Sequence, residues 1–287
     1  MRELNGKTAI VTGASRGLGP YIARALADRG MNLALAARSR EGLEAVAEEL
    51  RARGVRVVVV PADVADAAAR EALVREAEAA FGAVHVLVNN AGIESTFSYH
   101  RLPPEEIERV IAVNLVAPML LTRLILPGML ARREGHIVNI ASLAGKQGPA
   151  YNEPYAASKA GLIGFTQSLR AEYRGTGVSA SVVCPGFVRE AGMFADASAR
   201  VRRQPSRVLG TTTPQAVAAA VVRCIERDLP EAVVNPGPTR LLLTLLALAP
   251  SFGEWFARRA GVTDIFRAWA EDRERQALGE PESAARP

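Results

Sequence analysis

Short apolar runs and longer amphipathic stretches take turns along this chain. Thr8–Thr12, Leu33–Ala37, Val57–Val60, Val84–Val88, Ile137–Ile140, Val178–Val183 and Ala232–Val234 are brief, nearly unbroken and rich in β-branched side chains. A half-exposed strand would alternate apolar with polar, so such runs predict strands covered on both faces. The run Val57–Val60 is the clearest case and is expected to be buried on both faces. Between the runs lie helical segments. Leu18–Arg29 tolerates Pro20 in its first turn and stops at Gly30, Leu43–Arg51 ends at Gly54, and Gln215–Arg227 follows Pro214. The apolar section Ile107–Leu130 carries Pro118 and Pro127 and is expected to be kinked or broken. Strand and helix in regular succession predict an α/β fold, a doubly wound parallel sheet with helices on both faces. No repeat or linker interrupts residues 1–237, which are read as one domain.

Residues 238–287 form a C-terminal extension of a different texture. Leu241–Ala249 is strongly apolar but far shorter than the ~20 residues that span a bilayer. After Pro250, the side chains of Phe252, Trp255, Phe256, Val262, Ile265, Phe266 and Trp269 recur at helical steps, with Arg258, Arg259, Asp264 and Arg267 between them. Apolar stripes of this kind pack within proteins, so residues 241–270 are expected to cover the domain or a partner subunit and to shape an apolar pocket. The alternative is peripheral contact of 241–270 with a membrane surface. From Arg273 onward the chain reads as a frayed end.

Composition narrows the class. Hydrophobic residues make up 49% of the 287 and charged residues 23%, the balance of a globular enzyme rather than a disordered chain. The net charge of +5 comes without a long Lys/Arg block, so no nucleic-acid partner is expected. Cys184 and Cys224 both sit in apolar segments, and the histidines are scattered, so neither a disulfide framework nor a metal site is expected. The opening M-R-E-L-N-G-K leads into a strand without a signal-peptide core, which points to the cytoplasm.

Two stretches carry chemistry. The first joins the first strand to the first helix: Gly13, Gly17 and Gly19 space a turn that also holds Ser15, Arg16 and Leu18. Glycines let the backbone approach a pyrophosphate, and the helix start at Leu18 supplies oriented N–H groups. In that position the turn is a dinucleotide signal. The second strand ends Ala36-Ala37-Arg38 where a carboxylate would select NAD. Arg38 and Arg16 suit an added phosphate in shape and charge, so NADP(H) is favoured.

The second stretch runs from Asn139 to Lys159. Pro154 suits the start of a helix, and Tyr155 and Lys159 then lie four apart on one face. A phenol titrates near ~10, and an adjacent ammonium is expected to lower that value, making Tyr155 a general acid–base. Ser142, after the preceding strand, can offer its hydroxyl to the same substrate oxygen.

In these ordered motifs the chain resembles the short-chain dehydrogenase/reductase family, in its branch with a TGxxxGxG turn and a Tyr-x-x-x-Lys site. The resemblance covers about Gly6 to Asn235 and rests on Thr12–Gly19, Asp63-Val64, Asn89-Asn90-Ala91-Gly92, Asn114, Ser142, Tyr155 with Lys159, and Pro185-Gly186. It implies a Rossmann fold and interconversion of a carbonyl and a secondary alcohol by hydride transfer, with 3-oxoacyl thioesters or other ketones as substrates. By the same resemblance Asp63 and Val64 lie near the adenine, while Asn90, Ala91 and Gly92 support the cofactor. Asn114 holds a relay water, Ser142 orients the carbonyl and Tyr155 is the acid/base. Lys159 tunes the tyrosine and binds the nicotinamide ribose, and Pro185, Gly186 and Val188 lead to the nicotinamide. One position departs from the pattern: Glu190 stands where the family often has a threonine.

The pocket is expected to be lined by 93–97, 143–153 and the loop 187–209. Arg189, Arg200, Arg202, Arg203 and Arg207 in that loop would suit either an anionic substrate tail or a solvated lid, and the extension would suit an apolar tail. A homodimer or homotetramer is expected. The competing reading is a catalytically silent NADP-binding sensor or scaffold; the set Asn114, Ser142, Tyr155 and Lys159 speaks against it.

Overall fold

A computed structural model describes residues 3–201 and 209–278. The strands are β1 (Thr8–Thr12), β2 (Asn32–Ala37), β3 (Val57–Pro61), β4 (Val86–Asn89), β5 (Gly135–Ile140), β6 (Val178–Pro185) and β7 (Glu231–Val234). They form one parallel sheet of seven in the order β3-β2-β1-β4-β5-β6-β7. The order reverses between β1 and β4, and such a switch point opens a crevice at the carboxyl ends of the strands.

Helices cover both faces, as the alternation requires. On one side α1 (Gly19–Ala27), α2 (Arg40–Arg51) and, further along, α8 (Pro214–Arg227) share a core with the sheet built on Ile22, Leu26, Leu43, Val217 and Val221. On the other lie α3 (Ala67–Phe81), α4 (Pro104–Ile111), α5 (Ala117–Arg132) and α6 (Glu153–Glu172), packed through Leu73, Leu121, Ile125, Met129 and Leu169. Side-chain caps start three of these helices: Ser39 accepts from Gly42 N, Asp66 from Ala69 N and Thr213 from Ala216 N.

Three sequence expectations need correction. β3 is an edge strand, with Val57, Val58 and Val59 only half-buried; its β-branched run reflects strand propensity, which does not encode strand order. The section with Pro118 and Pro127, expected to be kinked or broken, runs as one helix, Pro104–Arg132, with an irregular turn and with Pro127 inside it. A π-helical turn, Ala112–Val116, joins α4 to α5, and Pro118 falls in the first turn of α5, where a missing N–H is tolerated. The combined helix Pro104–Arg132 is long and apolar enough to cross a membrane by length and composition alone, yet one face packs against the core of the sheet.

The third correction concerns the tail. After β7 come α9 (Thr239–Leu248), α10 (Pro250–Arg259) and α11 (Val262–Ala277). The chain does not fray at Arg273, whose guanidinium pairs with Glu106 at 2.6 Å; the rest of the stretch expected to fray, 279–287, lies outside the described residues. Glu274, nearly buried, accepts from Ser98 N at 3.1 Å and from Arg101 at 2.6 Å. Ile265, Phe266 and Trp269 of α11 pack on Ala197, Phe187 and Phe194, so the extension is fixed to the loop beyond β6. That loop carries α7 (Met193–Val201).

Candidate active site

The glycine turn between β1 and α1 is built for close approach. Gly13 has φ +66°, and a Cβ there would lie 2.9 Å from Ala91 Cα; a Cβ on Gly19 would lie 2.1 Å from the Gly13 carbonyl oxygen. No other residue fits either position, and the resulting groove between turn and helix start suits a pyrophosphate. The Asn-Asn-Ala-Gly turn is stitched to it. Asn90 and Ala91 donate their N–H groups to Thr12 Oγ1 at 3.0 Å each, and the Asn90 amide donates to Thr12 O at 2.9 Å. Ser15, Arg16, Gly17, Leu18, Arg38, Asp63, Val64 and Gly92 all face the same cavity. Arg38 is exposed at the end of β2. Arg16, also exposed, lies 3.7 Å from Asp196 of α7, while Asp63 takes Arg109 at 3.3 Å.

At the other end β5 stops at Ile140, and Ser142 turns the chain by accepting from Ala144 N at 3.1 Å. Two turns of contact then fix α6. Lys159 is buried, donates to the Ile140 carbonyl at 2.8 Å and sits 5.5 Å from the centre of the Tyr155 ring. Asn114, in the π turn, reaches across. Its amide donates to Ile93 O at 2.8 Å and to Ser158 Oγ at 3.1 Å, and its oxygen accepts from Ile93 N at 2.9 Å. Ser158 in turn donates to the Tyr155 carbonyl at 2.7 Å. The π turn thus aims Asn114 at both the end of the Asn-Asn-Ala-Gly turn and α6, linking three separated sequence motifs.

The electrostatics differ from expectation. Burial pushes the Tyr155 phenol above its ordinary value, and the Ser142 hydroxyl only partly opposes the rise. The sequence predicted a lowered phenol, because spacing alone does not register desolvation. Burial also lowers Lys159, to about 8. At neutral pH the site therefore holds a protonated phenol next to a predominantly charged ammonium. That state is ready to donate a proton to an oxygen.

Pro185 ends β6, Gly186 N donates to Val234 O at 3.0 Å, and Val188 bridges Thr212. Glu190, at φ +73° and exposed, faces the cavity beside these residues. The cavity, about 1090 Å³, runs from the glycine turn past Ser142 and Tyr155 to an apolar end walled by Phe187, Met193, Leu246, Phe256 and Trp269. Of the expected lining segments, Ile93, Glu94, Leu143, Gln147 and Asn152 contribute, whereas Ser95, Thr96 and Phe97 lie buried behind the wall. Among the described residues, no arginine of the loop cluster lines the cavity. Arg189 and Arg200 are outside the lining, Arg200 pairing with Asp272 at 3.5 Å; Arg202, Arg203 and Arg207 lie outside the described residues. Sequence reasoning passed over Glu94, a wall residue whose carboxyl burial pushes upward. Leu242, Leu243 and Leu246 of α9 and Phe256 of α10 also line the cavity, within the residues 241–270 expected to shape an apolar pocket.

The parallel sheet, its glycine turn and the Tyr155–Lys159 pair belong together. Residues 7–202 match the short chain dehydrogenase family, and the chain belongs to that family. It is similar to the ketoacyl reductase HetN of Nostoc sp., 43% identical over 278 residues, 95% of this chain and 96% of that protein. It is also similar to the 3-oxoacyl-[acyl-carrier-protein] reductase FabG of Staphylococcus aureus, 42% identical over 183 residues, 63% of this chain and 74% of the relative. Among solved structures, actinorhodin polyketide ketoreductase with NADPH aligns with a TM-score of 0.74 and 35% identity, covering 81% of this chain and 97% of that one. A metagenomic short-chain oxidoreductase in complex with NADP aligns with a TM-score of 0.70 and 37% identity, covering 82% and 99%.

Proposed function

We propose that the protein is an NADPH-dependent reductase of ketones carrying an apolar substituent, with 3-oxoacyl thioesters as the leading class. The observation that carries the reading is the placement of Tyr155 and Ser142 where the polar, glycine-walled half of the cavity meets its aromatic half. The groove at Gly13, Ser15, Gly17, Leu18 and Gly19 fits a pyrophosphate, and the guanidinium groups of Arg16 and Arg38 fit a 2′-phosphate. Asp63, Val64, Asn90, Ala91 and Gly92 would flank the adenine and riboses, and Pro185, Gly186 and Val188 the nicotinamide. When bound, that cofactor supplies a hydride.

The chain's own groups do the rest. Ser142 and Tyr155 hold the substrate carbonyl oxygen, which fixes the distance and angle of attack. The Tyr155 phenol gives its proton to that oxygen as negative charge develops there. The Lys159 ammonium, nearby, stabilises the phenolate left behind and would hold a ribose hydroxyl. Asn114 fixes the relative positions of α6 and the Asn-Asn-Ala-Gly turn. The aromatic wall from Phe187 to Trp269 excludes water and favours an apolar tail over an anionic one.

Residues 1–237 are read as the catalytic domain and 238–287 as a C-terminal extension, of which α9, α10 and α11 line the pocket. The match to the Nostoc ketoacyl reductase covers 95% of the chain and so takes in this extension. An exposed apolar stripe on the π turn and α5, at Val116, Met119, Leu120 and Leu124, supports a homodimer or homotetramer. Cys184 and Cys224 are free and buried, their thiols pushed up by burial to about 12 and about 11, in keeping with a cytoplasmic site of action. The test is NADPH oxidation with a panel of aldehydes, simple ketones and 3-oxoacyl thioesters of increasing chain length. Efficiency should rise with the apolar chain. Tight NADPH binding with no turnover on any carbonyl would instead favour the silent sensor or scaffold.

A further inference from the structure

The helices that roof the pocket have a second face. In α9 the side chains Leu242, Leu243 and Leu246 point to the cavity, and in α10 Gly253 and Phe256 do the same. The opposite stripe is apolar too, and none of the described residues covers it. Leu241, Leu245 and Leu248 are 62%, 47% and 78% exposed, at steps of four and three along one side of α9. Phe252 and Trp255 continue the stripe on α10 at 42% and 51% exposed, their rings stacked 5.6 Å apart. Arg259 follows Trp255 by one further turn on that side and is exposed, with no ion pair to it among the described residues, whereas Arg258, also exposed, borders the cavity.

Leucines at one end, a stacked Phe–Trp pair in the middle and the unpaired Arg259 at the other end make the arrangement of an interfacial helix. Such a helix buries aliphatic groups, keeps aromatic rings at the boundary and leaves guanidinium groups among headgroups. We propose that the outer face of the α9–α10 hairpin docks on an anionic lipid surface. The charge selects this occupant over a second copy. A twofold contact would bring two copies of Arg259 to the same rim, while Glu254, the only carboxylate of α10, borders the cavity instead. The stripe on α5, far along the chain and lacking aromatic rings, already offers a face for self-association. The sequence alone set packing and membrane contact against each other because it showed one apolar segment; the structure gives each face its own role. Docking would place the apolar end of the cavity about one helix diameter, ~10 Å, from the lipid. The proposal concerns binding and stands apart from the reductase reading.

The test is flotation of the full-length protein with vesicles of phosphatidylcholine alone and of phosphatidylcholine with about 30% phosphatidylglycerol. The protein should float with the anionic vesicles and far less with the neutral ones. The variant Leu245→Ser/Leu248→Ser/Trp255→Ser changes only outward side chains and should lower the floating fraction ~10-fold while keeping the circular dichroism and the oligomeric mass. Arg259→Glu alone should also reduce flotation, and it serves where the triple variant misfolds. The proposal is overturned if the wild type stays at the bottom with anionic vesicles or if the triple variant floats equally well. A fall in oligomeric mass on mutating the stripe would likewise overturn it, assigning the face to a second copy.

Discussion

Replacing Lys159 by methionine separates what this lysine does in turnover from what its burial costs the fold. The ammonium sits away from solvent with the Ile140 carbonyl 2.8 Å away, and burial lowers its titration from 10.5 to about 8. That difference corresponds to a cost on the order of 3 kcal/mol for keeping the charge in the folded state. Methionine has similar length and no charge, and it leaves the Ile140 carbonyl without its donor at a cost of ~1 kcal/mol. The variant should therefore be more stable than the wild type near neutral pH, by roughly 2 kcal/mol. In the wild type the folded state binds its proton less tightly than the unfolded state, so stability rises as pH climbs from about 8 to 10.5. The advantage of the variant should accordingly fade across that window. Turnover should move the other way, falling at least ~100-fold, since the phenolate loses its neighbouring charge. Thermal denaturation of both proteins at neutral pH and above pH 10.5, beside NADPH oxidation, decides the matter. A variant less stable than the wild type at neutral pH, or a gap that does not change with pH, would refute the reasoning.

Other expectations follow from the same geometry. Arg38→Asp places a carboxylate at the exposed end of β2 and should turn a preference for NADPH into one for NADH; a bidentate phosphate contact contributes ~1.5–3 kcal/mol, so the ratio of efficiencies should move at least ~10-fold. His136, buried and 2.8 Å from Ser181 Oγ, titrates at about 3 instead of 6.5, so the fold should lose stability as pH falls through that interval, by an amount on the order of several kcal/mol. His136→Gln should flatten that acid limb in a pH series of denaturant melts; an unchanged slope would remove His136 as its cause. Truncation after Pro238 exposes Phe187, Phe194 and Ala197, and the shortened protein should aggregate or lose its discrimination by substrate chain length. Retention of both solubility and chain-length preference would separate the extension from the pocket.

Much of this was legible in the residues, for identifiable reasons. Strands such as β1 and β6 are short apolar runs between glycines, and their limits follow from composition. The Tyr155–Lys159 pair was visible because helical spacing and chemistry coincide. What escaped depends on contacts between distant segments. That β3 is an edge strand is a property of sheet order, which no local run encodes. The π turn that aims Asn114 arises from the packing of Pro104–Arg132 against α6, and only the prolines hinted at it. The upward shift of Tyr155 comes from burial under other elements, so charge spacing pointed the wrong way. The ordered stretch Arg273–Ala277 looked frayed because Glu106, Ser98 and Arg101, which hold it, lie far back in the chain.

The central claim is that the Tyr155 phenol delivers the proton to the substrate oxygen. Tyr155→Phe removes one oxygen atom from a ring held by α6 and leaves the glycine turn, Arg16 and Arg38 untouched. Its measurement pairs steady-state reduction of a 3-oxoacyl thioester with NADPH affinity from titration of the cofactor's fluorescence. Efficiency should fall by at least ~100-fold, the scale of general acid catalysis, with affinity for NADPH within a few-fold of the wild type. Turnover that stays near the wild-type value would contradict the account.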